Sequence, residues 1–438
     1  MNRTLLLSLC VASAVTLQGR AQMLVHTSYD GGGLSIAGLG DLNGDGHADF
    51  VVPVQPGLSA LSGIDRSVIW HIPVGAPDEA SLFYTLANAG DVDADGTDDL
   101  IVGNRLDGWV RVYSAVSQAV LYEWQQPLPA FAFGSSVASA GDIDGDGHAD
   151  LIVGAVDTDP AVGRAYVYSG ATGNLVYALS PSLPQEDFAR LVGTAGDIDA
   201  DGFDDFMVSA PGIGGPWYAS GHVYIYSGIS GALLRDLAAP PAGLGFGMSF
   251  CALGDVDQDG YDDVMIGAPH ENRWIVPAVP PGKVTVFSGR TGNEIYSVLG
   301  HSPVLSNFFG WLLAALDDID GDGVSDVVVG TAHLASIVDH FDILSGRTGA
   351  SIAADCFHFG RAVAIADVGD INADGIADIG INGHAIHGPD TYALYLSTWP
   401  APTNYCTAKV NSAGCTPLLQ SSPGRASRSV TSSSSTPI

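Results

Sequence analysis

Two hydrophobic patterns recur in turn along the chain. The first is a short apolar, largely β-branched run bounded by Gly or Pro, such as LIVGA from Leu151 or VMIGAP from Val264. Such a run predicts a short buried strand. The second alternates apolar and polar positions and ends at a Gly-rich turn: AYVYSG from Ala165, HVYIYSG from His222, KVTVFSG from Lys283 and FDILSG from Phe341. A period of two predicts a strand with distinct faces. A leading strand such as FGSSVASAGD from Phe133 precedes the pair, and a trailing strand such as LVYAL from Leu175 follows it. Four short antiparallel strands per roughly 55 residues predict one blade of a β-propeller.

Between the leading strand and the buried run lies an acidic loop, and it recurs seven times. The copies read DLNGDGHAD from Asp41, DVDADGTDD from Asp91, DIDGDGHAD from Asp142, DIDADGFDD from Asp197, DVDQDGYDD from Asp255, DIDGDGVSD from Asp318 and DINADGIAD from Asp370. Their starts lie 50 to 63 residues apart, the signature of a repeat array. Each places side-chain oxygens at positions 1, 3, 5 and 9, with Gly at position 6 for a sharp turn. Hard oxygen donors at this spacing suit calcium.

The expected ligands are Asp41, Asn43, Asp45 and Asp49; Asp91, Asp93, Asp95 and Asp99; Asp142, Asp144, Asp146 and Asp150; and Asp197, Asp199, Asp201 and Asp205. Three further sets follow: Asp255, Asp257, Asp259 and Asp263; Asp318, Asp320, Asp322 and Asp326; and Asp370, Asn372, Asp374 and Asp378. The carbonyl of position 7 completes each shell, so His47 and His148 point away from the ion. An EF-hand is excluded, because position 12 is Val52, Val102, Val153, Val208, Ile266, Val329 or Ile381 rather than Glu.

The fold class is therefore all-β: a seven-bladed β-propeller of four-stranded antiparallel blades, with a calcium loop between the first and second strands of each and up to seven Ca2+. It occupies residues 22–400. The seventh repeat has three strand candidates, ending in YALYLS from Tyr392. We expect MLVHT from Met23 to supply its outer strand, closing the sheet ring and removing exposed edges.

Composition adds a compartment. The formal charge is −32, and 26 of the 48 acidic residues are expected ligands, so seven divalent ions would bring it to −18. With only 16 Lys and Arg and no basic stripe, nucleic-acid binding is excluded as an expectation. Arg3, the apolar stretch from Leu5 to Leu17 and Gly19-Arg20-Ala21 predict a signal peptide over 1–21, cleaved near Ala21, and hence a secreted or cell-surface protein. The context of Cys10 does not suit a lipoprotein anchor, and no other stretch predicts a membrane span. Cys406 and Cys415 suit a small loop, whereas Cys251 and Cys356 either pair or lie buried in strands. Residues 401–438 are Cys-containing and then Ser-rich, a composition that predicts a disordered tail.

These motifs resemble those of FG-GAP repeat proteins, the family that includes the propeller of integrin α subunits. Phe246-Gly247 and Gly267-Ala268-Pro269 flank the fifth loop as the family name describes; Phe133-Gly134, Phe309-Gly310 and Phe359-Gly360 keep the first element. The fourth repeat has Phe188-Ala189 and Ser209-Ala210-Pro211. The resemblance implies calcium-dependent structure and non-enzymatic extracellular recognition or adhesion by a monomeric propeller. The chain is too short for the leg domains of an integrin subunit, and a secreted bacterial type is expected. In the family, ligands bind on the face opposite the calcium loops. Here that face would present Trp217 and Tyr218 in the fourth blade and His270, Arg273 and Trp274 in the fifth; these also suit packing of the loops onto the propeller.

A protein or glycan ligand is expected, since some fungal lectins resemble this architecture. No nucleophile elbow, HExxH motif or phosphate-binding loop is present, so no catalytic residue is assigned. A polysaccharide hydrolase or lyase would have to use acids outside the loops, such as Asp157, Asp159, Glu186 or Asp187.

Overall fold

A computed structural model describes residues 22–27, 35–54, 57–74, 84–126, 132–156, 163–181, 187–211, 221–238, 245–269, 282–300, 308–331, 339–357, 361–373, 375–384 and 391–396. All lie in the first of two compact units, Met1–Pro402; the second is Thr403–Ile438. The described secondary structure is all strand.

The described strands begin with β1 (Gln22–Thr27). The first blade is β2 (Ala37–Gly40), β3 (Asp49–Val54), β4 (Gly57–Leu61) and β5 (Val68–Pro73). The second is β6 (Tyr84–Gly90), β7 (Asp99–Asn104), β8 (Trp109–Tyr113) and β9 (Val120–Gln125), and the third β10 (Phe133–Gly141), β11 (Asp150–Ala155), β12 (Arg164–Tyr168) and β13 (Leu175–Leu179). The fourth is β14 (Val192–Gly196), β15 (Asp205–Ala210), β16 (His222–Tyr226) and β17 (Leu233–Ala238). The fifth is β18 (Ser249–Gly254), β19 (Asp263–Ala268), β20 (Lys283–Phe287) and β21 (Glu294–Leu299). The sixth is β22 (Leu312–Leu316), β23 (Asp326–Gly330), β24 (Asp339–Leu344) and β25 (Ser351–Phe357), before β26 (Arg361–Asp367), β27 (Ile379–His384) and β28 (Thr391–Leu396).

The expectation of seven blades is corrected to six. Six sheets are each built from four consecutive strands, β2–β5 through β22–β25, in simple up-and-down order. The seventh repeat does not build a blade of that kind. It supplies only β26, β27 and β28, and its sheet is a composite, ordered β1-β28-β27-β26. The physical reason is the missing fourth strand: β1 fills that edge, pairing antiparallel with β28 so that Met23 faces Tyr395 and His26 faces Tyr392. Inner strands pack in the order β2, β6, β10, β14, β18, β22, β26 and back to β2.

The buried runs are the second strands. Phe50, Val51, Leu100, Ile101, Leu151, Ile152, Phe206 and Met207 are each at most 1% exposed, so each such strand packs on both faces. The apolar cores lie between adjacent sheets: Val51, Leu58 and Trp70 of the first blade meet Leu86, Leu100 and Trp109 of the second. The composite sheet meets the first blade through Val368 and Ile371, which pack with Ile36, Phe50, Val52 and Leu61.

The Phe-Gly and Gly-Ala-Pro elements touch across neighbouring blades. A methyl group on Gly267 would lie 2.2 Å from the carbonyl oxygen of Gly310, and one on Gly103 2.4 Å from that of Gly134. Gly134 and Gly310 themselves adopt φ of 80° and 83°. The preceding Phe133 and Phe309 are fully buried. In the fourth repeat Ala189 occupies the same left-handed position with φ 63°. A left-handed residue with a Cβ costs about 1–2 kcal/mol, and glycine loses part of that gain to chain entropy. Ala189→Gly is therefore expected to raise stability by roughly 0.5–1 kcal/mol, measured by denaturant unfolding at constant divalent-ion concentration.

Candidate functional site

The acidic loops fold alike because their first aspartate organises the turn. In the second loop, Asp95 N–H donates to Asp91 Oδ1 at 3.0 Å and Gly96 N–H to Oδ2 at 2.9 Å. Asp142, Asp197, Asp255 and Asp318 receive the same two bonds. Position 4 is left-handed throughout, with φ between 57° and 78° at Gly44, Ala94, Gly145, Ala200, Gln258, Gly321 and Ala373. In the first five repeats a glycine with positive φ, such as Gly141 at 82°, precedes the loop at a β-bulge and turns the chain into it.

The ninth position is the least exposed part of the loop. Asp49, Asp99, Asp150, Asp205, Asp263, Asp326 and Asp378 are each 0% exposed. One oxygen of each accepts the N–H of position 2, for example Ile143 to Asp150 Oδ2 at 3.0 Å and Ile198 to Asp205 Oδ2 at 2.9 Å. In the six blades the other oxygen reaches the turn that follows the third strand. Gly63, Ala115, Gly170, Gly228, Gly289 and Gly346 donate their N–H groups to it at 2.7–3.1 Å. Glycine is required at Gly170 and Gly228, where a methyl group would fall 2.1 Å from the Ala149 carbonyl oxygen and 2.0 Å from that of Asp204. In the composite sheet Asp378 Oδ1 accepts instead from Asn372 Nδ2 at 3.3 Å.

Burial sets the acidity of these groups. It pushes Asp99, Asp150, Asp263 and Asp326 up to about 6 and Asp205 up to about 7. Neighbouring loop acids add to the rise, and the accepted N–H bonds oppose it.

Five carboxylate sets could hold a metal ion, with one oxygen per residue all within 4.8 Å of one another. They are Asp91, Asp93 and Asp99; Asp142, Asp144 and Asp150; Asp197, Asp199 and Asp205; Asp318, Asp320 and Asp326; and Asp255, Asp257 and Asp259. The donors are all hard oxygens, which fit calcium better than a softer transition metal. In four sets positions 1, 3 and 9 converge. Position 5 turns to its own backbone, as where Asp146 Oδ1 accepts the His148 N–H at 3.0 Å. The first loop keeps the fold, with Asp41 accepting from Gly44, Asp45 and Gly46 and Asp45 accepting from His47. In the seventh, Gly375 N–H donates to Asp370 Oδ2 at 2.7 Å. Asp374 lies outside the described residues, as do Trp217, Tyr218, His270, Arg273 and Trp274.

The loop histidines bond the backbone of the previous loop. His148 Nδ1 lies 2.8 Å from the Val92 carbonyl oxygen of the previous loop, and His47 Nδ1 lies 2.7 Å from that of Ile371. Sequence reasoning missed two arginines in the turns after the third strand. Arg290 Nη1 is 3.9 Å from Asp259 Oδ2 and Arg347 Nε 3.6 Å from Asp322 Oδ2. An Arg directly after the Ser-Gly of those turns was the available signal. Cys251 carries a free thiol, pushed up to about 12 by burial.

Antiparallel blades around a ring, with an acidic turn between the first two strands of each, define a β-propeller with metal-competent loops. Residues 91–153 match the FG-GAP-like repeat family model, and residues 246–287 match that of the FG-GAP repeat. The chain is 36% identical to Integrin alpha-4 of Xenopus laevis over 174 residues, covering 36% of this chain and 16% of that protein. It is 33% identical to Integrin alpha-V of Gallus gallus over 218 residues, 44% of this chain and 20% of the other. Against Integrin alpha-IIb of Homo sapiens it is 33% identical over 223 residues, 45% of this chain and 21% of the other. The chain is thus an integrin-α-like β-propeller built on FG-GAP repeats. The matches span about a fifth of the length of these curated relatives. The three are vertebrate proteins and lend no support to a bacterial source. No helix among the described residues is long and apolar enough to cross a membrane.

Two outcomes test the site. Asp150→Asn replaces one acceptor oxygen with a donor that faces an N–H, so it is expected to cost about 2–4 kcal/mol even in strong chelator. A ligand-only role for Asp150 predicts no loss once metal is removed. The second outcome concerns pH. In metal-free protein the raised carboxyls bind more protons folded than unfolded between about pH 4 and 7, so stability is expected to rise as pH falls through that window. Metal-loaded protein is expected to lose stability over the same fall, because protons compete with the ion. Melting curves at stepped pH, with and without chelator, check both signs.

Proposed function

We propose that this protein is a calcium-loaded extracellular recognition module that binds a protein or cell-surface ligand without catalysis. The observation that carries the reading is the repeated convergence of three carboxylates, from buried to exposed, in the loops of integrin-α-like blades. In the third blade Asp142, Asp144, Asp146 and Asp150 would hold the ion with the carbonyl of His148. Bound calcium supplies charge neutralisation there. The residues do the rest: Asp142 orders the turn, Asp150 ties it to Gly170, and His148 ties it to the neighbouring loop.

Secretion is part of the same reading, supported by the apolar stretch from Leu5 to Leu17 and by the extracellular nature of integrin-type adhesion. Ligand contact falls to Trp217, Tyr218, His270, Arg273 and Trp274, whose aromatic and Arg chemistry suits a protein interface.

At about ten times the dissociation constant, each independent site contributes roughly 1.4 kcal/mol. The mature protein is expected to bind up to seven calcium ions and to melt several degrees lower in chelator, checked by elemental analysis and calorimetry. On matrix-protein and glycan arrays, Trp217→Ala and Trp274→Ala are expected to abolish binding to a protein spot without changing the melting temperature. Signal confined to glycans would replace protein recognition with a lectin role, and unchanged melting in chelator would remove calcium from the account.

A further inference from the structure

Several loops are joined to the loop before them, and two aspartates outside the expected ligand sets add a side-chain grip to the joint. In the first, third, fourth and fifth loops, position 8 lies against the first residue of the loop before it. Ala149 N–H donates to the Asp91 carbonyl at 3.0 Å, Asp262 N–H to that of Asp197 at 3.1 Å, and Ala48 N–H to that of Asp370 at 3.0 Å. Where position 8 is an aspartate, its side chain can take a second hold. Asp142 N–H donates to Asp204 Oδ2 at 3.1 Å, and Asp197 N–H donates to Asp262 Oδ2 at 2.9 Å. Room for these carboxylates comes from the residue before each gripped loop: a methyl group on Gly141 would lie 2.1 Å from Asp204 Oδ2, and one on Gly196 2.2 Å from Asp262 Oδ2. Asp98, the corresponding acid of the second loop, is differently engaged, accepting from Asn88 Nδ2 at 2.7 Å.

The gripped residue is in each case the aspartate that organises its own loop. Asp142 and Asp197 each hold the turn by two backbone N–H groups and offer an oxygen to the acidic set. The gripping residue is in turn the immediate neighbour of a buried clip, Asp205 or Asp263. Filling the fourth loop therefore fixes the backbone that carries Asp204, and Asp204 fixes the backbone that carries Asp142.

We propose that Asp204 and Asp262 are positioning residues that couple metal binding between neighbouring blades, so that an ion in the fourth loop strengthens the third and an ion in the fifth strengthens the fourth. This rests on the reading of the loops as calcium sites. By linkage the coupling is reciprocal. The third loop carries Ala149 at position 8, so no carboxylate grips Asp91, and its side-chain hold on the second loop is the His148 bond to the Val92 carbonyl alone.

The test is a calcium titration of the full-length protein, read by hydrogen exchange mass spectrometry on peptides covering each loop. Disabling the fourth loop with Asp199→Ala and Asp201→Ala is expected to raise the calcium midpoint of the third loop by about fivefold or more. Disabling the third with Asp144→Ala and Asp146→Ala is expected to move the second by less. Asp204→Ala is expected to shift the third loop as the disabled fourth loop does and to speed exchange at the Asp142 amide in chelator. Asp204→Asn keeps an acceptor oxygen and is expected to restore slow exchange there. Calcium protection in every loop with the third-loop midpoint unmoved by Asp204→Ala would overturn the coupling while leaving the calcium reading intact. Absence of calcium protection in the unmodified protein would overturn both.

Discussion

Everything in this structure hangs on a buried carboxylate with both oxygens committed. The ninth aspartate of each loop stands where the second strand begins and is sealed from solvent. In six blades one oxygen closes the loop onto itself and the other ties it to the turn leaving the third strand. Burying such a charge is unfavourable unless it is well hydrogen-bonded, so the two N–H donors are a condition of the fold. The clip also removes freedom from two connections at once. A turn between strands one and two and a turn between strands three and four become a single rigid face.

The same clip explains why acidity and stability coexist in so charged a chain. The loop acids are concentrated where each can be answered by a backbone dipole, a turn arginine or an ion, and the sheets between them are apolar. Cross-blade staples on this face follow the same economy of parts. Tyr122 OH donates to the Gly170 carbonyl at 2.7 Å, Tyr296 OH to that of Gly346, and Arg235 Nε to that of Gly289 at 2.8 Å. Each reaches from the outer strand of one blade to the glycine turn of the next.

Strand type, repeat length and the acidic turns were legible in the sequence because each depends on local period and spacing. A short apolar run can be strand or buried helix by period alone, but Leu151 to Ala155 is too short for a helix and follows directly on the acidic turn. The closure by β1 was legible too, since a seventh repeat ending after YALYLS lacks an outer edge. The count of self-contained blades was not, because seven loops imply seven equivalent units although only six close on their own strands. The second task of the ninth aspartate was also hidden. A ligand and a backbone clip use the same residue at the same position, and the partner, such as Gly170 for Asp150, lies 20 residues away across two strands. Asp204 and Asp262 were masked by similar means: as acids beside ligands they look like surplus charge until the neighbouring blade is in place.

The composite sheet gives the chain an unusual timetable. Gln22 pairs with Leu396, so the strand made first cannot be seated until the last strand has been made. Closing so long a loop costs about 5 kcal/mol of chain entropy, a sum that grows only slowly with length. The seam offsets it with a hydrogen-bonded strand pair, an apolar patch around Val368 and Phe50, and the His47 and Ala48 bonds to the seventh loop. Until that moment β28 is an open edge during synthesis, and any second copy of β1 close by competes for it. The closure that gives the composite sheet its fourth strand is thus the step at which two nascent chains are open to exchanging strands.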